Sequence, residues 1–229
     1  MESKTVEKLI IENSKNFIKD NFPEVSIQET DIEIIFEGRF IINARKENFE
    51  IHEAPLLRIV MNKDYPNILP VCYDLSNKIN YDHVFQDGSL CVSTLLDLAI
   101  ILKDSVSIQD YIDKFIIPYF LSYRYWQKTG KDLNGDRSHG TKGIFESLRE
   151  YLSCNLSDEE LLILLCWASK TKKFKHCVPK CMQKKFQNYY LIYLHKLRFL
   201  GINYLRKQFK ILDNAIKGDK RHENKKYNF

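Results

Sequence analysis

The spacing of apolar residues changes along this chain, and the change limits the folds that it can adopt. Between residues 32 and 75, apolar and polar residues alternate in short runs, as they do in half-buried strands. We expect four strands, Ile32–Phe36, Arg39–Ala44, Phe49–Met61 and Val71–Leu75, with a hairpin turn at Gly38 between the first two. Outside this region the spacing is helical. The order predicts an α+β fold: a helix, a four-stranded antiparallel meander, an irregular segment and then helices.

Helical spacing is found on both sides of the predicted strands. The expected helices are Thr5–Asn21, which ends before Pro23, then a short helix Leu95–Leu102, and a longer helix that Ser107 caps and that runs to about Gln127. Pro118 lies inside the longer helix. Because proline has no backbone N–H, we expect it to kink or divide that helix.

The best candidate for a domain boundary is Thr129–Gly140, which holds three glycines and Asn134. This predicts a first domain of residues 1–128 and an all-helical extension of residues 129–229. The helices expected in the extension are about Lys142–Leu152, Ser157–Ser169 and Val178–Ile216, the last as one helix or two. Ser157 is followed by three acidic residues, which is typical of a helix N-terminus.

Charge is distributed unevenly between the two ends of the chain. Residues 1–165 contain 18 Lys/Arg and 27 Asp/Glu, whereas residues 166–229 contain 17 Lys/Arg and 3 Asp/Glu. The basic end favours an acidic protein surface or nucleic acid as a partner, and a solvated helical face is the alternative. The aromatic residues of Val178–Ile216 are expected to pack on neighbouring helices, and they carry no base-reading motif. We therefore do not favour a nucleic-acid partner, and we interpret Lys217–Phe229 as a solvated end.

No apolar stretch is long enough to span a membrane, and Met1–Lys4 opens an amphipathic pattern and not a signal peptide. We therefore expect a cytoplasmic protein without a membrane partner. The six cysteines have irregular spacing. In a cytoplasmic chain this pattern predicts reduced thiols and not a disulfide framework.

Two motifs lie about twenty residues apart in the first domain. Tyr65-Pro66-Asn67-Ile68-Leu69-Pro70 is followed by His83-Val84-Phe85-Gln86-Asp87-Gly88-Ser89-Leu90-Cys91. Together they resemble the active-site layout of ubiquitin-conjugating enzymes, specifically the bacterial branch, over about residues 5–128. The resemblance implies a UBC fold in which Cys91 is the catalytic nucleophile. Cys91 would form a thioester with the C-terminal glycine of a ubiquitin-like protein and pass that acyl group to an amine, with no cofactor.

The chain departs from the eukaryotic family at one catalytic position. There a His-Pro-Asn tripeptide precedes the cysteine, whereas this chain has Tyr81-Asp82-His83. His83 therefore takes the place of the asparagine, and its imidazole could donate a hydrogen bond to the oxyanion or relay a proton. Asp87 either orients His83 or closes a turn. Gly88 and Ser89 allow close backbone approach, and Asp97 and Asp104 are candidates for the family's acidic gate.

Each candidate also has a structural interpretation. Cys91 could be a buried thiol, since free cysteines are often interior, and His83 could be a hydrogen-bonded histidine at a strand end. His139 is a further catalytic candidate, because Ser138-His139-Gly140 resembles a loop of the bacterial relatives that could reach the active-site groove. Alternatively, His139 only caps a helix. Cys72 and Cys154 lie in apolar segments and are expected in the core.

A second resemblance lies in the extension. The segment from Cys166 to Cys177 is similar to a SEC-C-type zinc knuckle, with Lys172, Lys173 and Phe174 also matching. Ala168 and Val178 stand where two further ligands belong. Because structural zinc requires four N/S ligands, and Cys181 and His176 are the replacements at hand, we expect a degenerate knuckle that binds no metal.

The resemblance to conjugating enzymes also implies partners. These are a separate activating enzyme, an acyl partner that is a ubiquitin-like protein or a nucleotidyltransferase of the cyclic-nucleotide type, and a lysine-bearing target. Bacterial proteins of this kind occur in antiphage operons, including CBASS and ubiquitin-like (Bil) systems. Two other functions stay open: an inactive UBC/RWD-like interaction module, and a nucleic-acid-binding protein that uses the basic helices.

Overall fold

The computed structural model describes residues 2–76, 79–133, 140–170, 174–178, 180, 182–183, 190–202 and 205–214. Packing divides the chain into two compact units, Met1–Arg137 and Ser138–Phe229. The first unit has an α+β fold, as predicted, with a main antiparallel sheet of four strands and a second sheet of two, and the described part of the second unit is helical. The strands differ from the predicted four: Phe49–Met61 divides into Phe49–Glu53 and Leu56–Asn62, and Arg39–Ala44 overlaps Ile42–Lys46, which belongs to the two-stranded sheet.

Helix α1 spans Glu2–Asn21 and covers the predicted N-terminal helix. Ile10, Ser14 and Ile18 are spaced four residues apart and are buried, so they form the face that packs on the core. Val6 and Leu9 belong to the same apolar pattern in the sequence, but they are exposed. The Ser14 hydroxyl donates to the carbonyl of Ile10 at 2.7 Å and accepts from the amide of Ile108 at 2.9 Å.

Six strands follow helix α1. They are β1 (Val25–Glu29), β2 (Glu33–Arg39), β3 (Ile42–Lys46), β4 (Phe49–Glu53), β5 (Leu56–Asn62) and β6 (Val71–Asp74). The main sheet has the order β1-β2-β5-β6, and β3 pairs with β4. The register is constant from the Glu33–Asn62 pair to the Lys46–Phe49 pair. Strands β2 to β5 therefore form one long hairpin, which is interrupted beside Pro55.

The predicted turn at Gly38 is wrong. Gly38 lies inside β2 and pairs with Val25 on one side and Leu57 on the other. A Cβ atom at this position would lie 2.2 Å from the carbonyl oxygen of Glu24. Glycine is needed here for close approach of two backbones and not for a reversal of the chain. The prediction also missed strand β1.

The helices after the sheet lie close to their predicted positions. Helix α2 spans Leu95–Leu102, as expected. The longer helix consists of α3 (Gln109–Tyr111), a π-helical turn (Ile112–Ile116) and α4 (Ile117–Thr129). Pro118 lies at the start of α4, directly after the wider turn, so the expected irregularity takes the form of a π turn. Gly130 ends α4 in a left-handed conformation.

The second unit contains α5 (Gly140–Leu152), α6 (Asp158–Ala168), a short α7 (Phe174–Cys177) and α8 (Leu191–Arg198), with residues 205–214 also helical. Ser157 and Glu160 form a reciprocal capping box at the start of α6, which confirms the predicted N-cap. Gly201 has a φ of 88° and separates α8 from the helical residues 205–214. Val178–Ile216 is therefore not one continuous helix.

The prediction that all cysteines are reduced is wrong for one pair. Cys166 and Cys177 form a disulfide, with their Cα atoms 5.8 Å apart. Irregular cysteine spacing argued against a framework of several bridges, but it carries no information on whether one pair meets in the fold.

Within the described ranges, no helix has the length and apolar character that crossing a membrane requires.

Candidate active site

Cys91 lies at the end of a narrow loop that is held against strand β6. Ser89 pairs with Tyr73, and Val84 pairs with Leu90 in an antiparallel bridge. The amide of Leu90 donates to the carbonyl of Cys72 in β6 at 2.8 Å. The chain then passes through Cys91 to Thr94, which caps helix α2. The loop is thus fixed to the sheet immediately before the cysteine.

Asp87 closes the tip of this loop. Its Oδ1 atom accepts from the Ser89 hydroxyl at 2.6 Å and from the Ser89 amide at 3.0 Å. These bonds lower the pKa of the Asp87 carboxyl. Gly88 has a φ of 81°, and a Cβ atom at this position would meet no atom within 4 Å. Glycine is therefore favoured by the backbone conformation here, and the contacts of Asp87 correspond to the turn-closing role.

The structure brings His83 and Cys91 together through their backbones. The amide of Cys91 donates to the carbonyl of His83 at 2.8 Å, and the Tyr119 hydroxyl donates to the same carbonyl at 3.2 Å. The imidazole of His83 packs on the ring of Tyr81, with 4.6 Å between ring centroids. Cys91 is half-buried, and burial raises the pKa of its thiol.

Four aromatic side chains form a wall behind His83. We call Tyr81, Tyr119, Tyr123 and Trp126 the aromatic wall. The ring of Tyr81 is in contact with the other three, at centroid distances of 5.9, 5.5 and 5.1 Å respectively, and its hydroxyl donates to Asp132. Sequence reasoning missed this wall. The available signal was the spacing of its three helical members, which places them on one face of α4.

The two candidate gate acids have different surroundings. Asp97 lies in the first turn of α2, where its amide donates to the Thr94 hydroxyl at 3.1 Å and its carboxylate accepts from Ser93 at 3.1 Å. Asp104 follows the C-terminal end of α2, its side chain is 83% exposed, and it pairs with Lys103. Asp97 is six residues from Cys91 and is held by the cap of the next helix, whereas Asp104 is exposed to solvent.

The remaining candidates fall outside the site or outside the described residues. His139 and Cys181 lie outside the described residues. Cys72 is fully buried, as expected, and burial raises the pKa of its thiol, whereas Cys154 is only half-buried. Among the residues that the structure describes, no group of three or more His, Cys, Asp or Glu side chains is arranged to hold a metal ion.

The chain was also compared with known proteins. No protein-family model, no curated protein and no solved structure matches it. A functional assignment therefore depends on the motif around Cys91 and on the geometry described above.

Proposed function

We propose that this chain is a ubiquitin-conjugating-type acyl transferase with a UBC fold and that Cys91 is its thioester carrier. The observation that carries the proposal is the position of Cys91: half-buried, directly after a loop fixed to β6, with its amide bound to the carbonyl of His83. A helix, a four-stranded antiparallel sheet and a cysteine-bearing loop follow one another along the chain, which is compatible with the resemblance.

The first step is exchange between thioesters. The Cys91 thiolate attacks the carbonyl carbon of the incoming thioester, a new C–S bond forms at Sγ, and the thiolate of the activating enzyme leaves. An incoming thioester is already activated, so this exchange needs no strong base beside Cys91. Burial disfavours the charged thiolate but not a neutral thioester. The half-buried site is therefore better suited to hold the acyl group than to store a free thiolate.

The second step transfers the acyl group to an amine. The amine attacks the thioester carbonyl, a tetrahedral oxyanion forms, the C–S bond to Cys91 breaks and the amine gives up a proton. A donor close to the oxyanion lowers the barrier of this step. We assign His83 to this donor or proton-relay role, because its carbonyl is bonded to the Cys91 amide and it stands in the asparagine position. His139 is a second candidate from the sequence.

The partners in this proposal follow from the resemblance alone. They are a separate activating enzyme, a ubiquitin-like protein or a nucleotidyltransferase-type partner that supplies a C-terminal tail, and a lysine-bearing target. A cytoplasmic location and an antiphage operon belong to the same expectation. The helical extension would then serve as an accessory unit of the conjugating domain.

Loading of Cys91 can be tested without the unidentified activating enzyme. The folded protein is incubated with a synthetic peptide thioester that ends in Gly-Gly, and its intact mass is measured with and without a thiol reductant. We expect one reductant-sensitive adduct, which is lost in Cys91→Ala and retained in the matched variant Cys154→Ala. Absence of the adduct in wild type, or its persistence in Cys91→Ala, would contradict the proposal.

A second function is favoured by one observation. Cys91 is half-buried and its burial raises the pKa of the thiol, whereas many nucleophilic cysteines are more accessible and have a lowered pKa. This is compatible with an inactive UBC/RWD-like module that binds proteins and carries no acyl group. In that case the folded protein would form no adduct with the peptide thioester, while the same protein in denaturant would form one at Cys91.

A further inference from the structure

The proposed function leaves open what holds Cys91 in place. We infer that Tyr119 is a positioning residue for Cys91 and acts through the carbonyl of His83. The inference rests on the proposed function for the role of Cys91, but the geometry of Tyr119 does not depend on it. In the sequence, Tyr119 is 28 residues beyond Cys91 and belongs to no motif.

Two donors share the carbonyl oxygen of His83. The amide of Cys91 lies 2.8 Å from it and the hydroxyl of Tyr119 lies 3.2 Å from it. A carbonyl oxygen has two lone pairs and accepts both hydrogen bonds at once. The Tyr119 hydroxyl therefore fixes the direction of the carbonyl to which the backbone of Cys91 is tied. The backbone at Cys91 is thus anchored to the sheet through Leu90 and to helix α4 through Tyr119.

Tyr119 is itself held firmly. It is 5% exposed, and its ring packs edge-on against Phe120 at 5.5 Å and against Tyr81 at 5.9 Å. It follows Pro118 and the π turn Ile112–Ile116. A π turn inserts one additional residue and so changes the direction in which the following side chains point, and such turns are frequent at functional sites. The π turn therefore sets which side chains of α4 face the Cys91 loop.

The pKa of the Tyr119 hydroxyl is raised above its ordinary value, so this hydroxyl stays protonated near neutral pH. Burial raises the pKa of Tyr119, and the neighbouring Tyr81, Cys72, Cys91 and Tyr123 raise it further. A hydroxyl that does not ionise remains a donor to the His83 carbonyl.

Tyr119→Phe removes the hydroxyl and keeps the ring. The matched control is Tyr125→Phe on the same helix, where the ring packs on Phe49. The rate of iodoacetamide alkylation at Cys91 is measured against pH by mass spectrometry of the Cys91 peptide. Without the hydrogen bond from the Tyr119 hydroxyl to the His83 carbonyl, the Cys91 thiol becomes more accessible to water. We therefore expect the alkylation profile of Tyr119→Phe to shift to lower pH. The rate at pH 8 should rise about threefold to tenfold, corresponding to about half to one pKa unit.

Hydrogen exchange gives an independent measurement. In wild type the Cys91 amide should be protected, and its exchange should be at least about tenfold faster in Tyr119→Phe than in Tyr125→Phe, if one bond of about 1.4 kcal/mol is lost. An unprotected Cys91 amide in wild type would overturn the inference without any variant. Identical alkylation profiles in Tyr119→Phe and Tyr125→Phe would also overturn the inference, provided that both variants have the circular dichroism spectrum of the wild type.

The two proposals can fail separately. If the alkylation profile shifts but no peptide thioester adduct forms on Cys91, Tyr119 positions the thiol and the conjugating function is wrong. If the adduct forms on Cys91 and the profile does not shift, the conjugating function stands and Tyr119 has no positioning role.

Discussion

Ser14 connects helix α1 to the segment that leads into α3, and its removal is a sharp test of the first unit. The Ser14 side chain is completely buried and accepts from the amide of Ile108 at 2.9 Å. Ser14→Ala leaves that amide buried without its partner, which costs about 1–3 kcal/mol. Alanine is the better helix former by about 0.5 kcal/mol. We therefore expect the free energy of unfolding to fall by about 0.5–2.5 kcal/mol.

The assay is urea unfolding of the full chain, followed by circular dichroism and by tyrosine and tryptophan fluorescence. A slope of about 2 kcal/mol/M converts this loss of unfolding free energy into a midpoint shift of roughly 0.25–1.25 M. The matched control is Ser26→Ala, because the Ser26 hydroxyl is exposed and donates to Glu37. Surface substitutions of this kind change stability by less than about 0.5 kcal/mol. An unchanged or raised midpoint for Ser14→Ala would refute the reasoning.

Three further predictions concern the strand contact, the thiol and the disulfide. Gly38→Ala places a Cβ atom 2.2 Å from the carbonyl oxygen of Glu24. The free energy of unfolding in urea should therefore fall by about 2–3 kcal/mol, and a decrease of less than about 0.5 kcal/mol would contradict the close contact. Burial raises the pKa of the Cys91 thiol, so its alkylation rate should reach half-maximum at a higher pH in the folded protein than in denaturant. An equal or lower midpoint in the folded protein would show that burial does not dominate the pKa of this thiol. Reduction of the Cys166–Cys177 bond, which spans 11 residues, should destabilise the second unit by about 3 kcal/mol, and the reductant should have no further effect on Cys166→Ser.

The sequence predicted the helices better than the strands. Leu95–Leu102 was predicted with correct bounds because a polar cap precedes a run that is apolar except for Asp97. Strand β1 was missed because Val25 and Ile27 are its two apolar residues and neither is fully buried, so its alternation is weak. Gly38 was misassigned because a glycine marks both tight turns and close backbone approach. Only the pairing of β2 with two neighbours distinguishes these cases.

The candidate site was found from the sequence only in part. Cys91 and His83 belong to one continuous motif, and the fold brings them into backbone contact. The hydroxyl of Tyr119 reaches the carbonyl of His83 from helix α4. Local sequence does not tell which face of that helix will meet a loop 28 residues earlier in the chain. The pairing of Cys166 with Cys177 was missed for the same reason, since it depends on how α7 packs on α6.

The central claim is that Cys91 carries an acyl group and transfers it to an amine. The most direct measurement is single-turnover discharge of the Cys91 peptide thioester by free lysine, followed by intact mass. We predict that the thioester is lost faster from the folded protein than from the same adduct in denaturant and that a lysine–peptide amide appears in equal amount. Equal rates in the two states, or loss by hydrolysis without amide formation, would contradict the account and favour the inactive binding module.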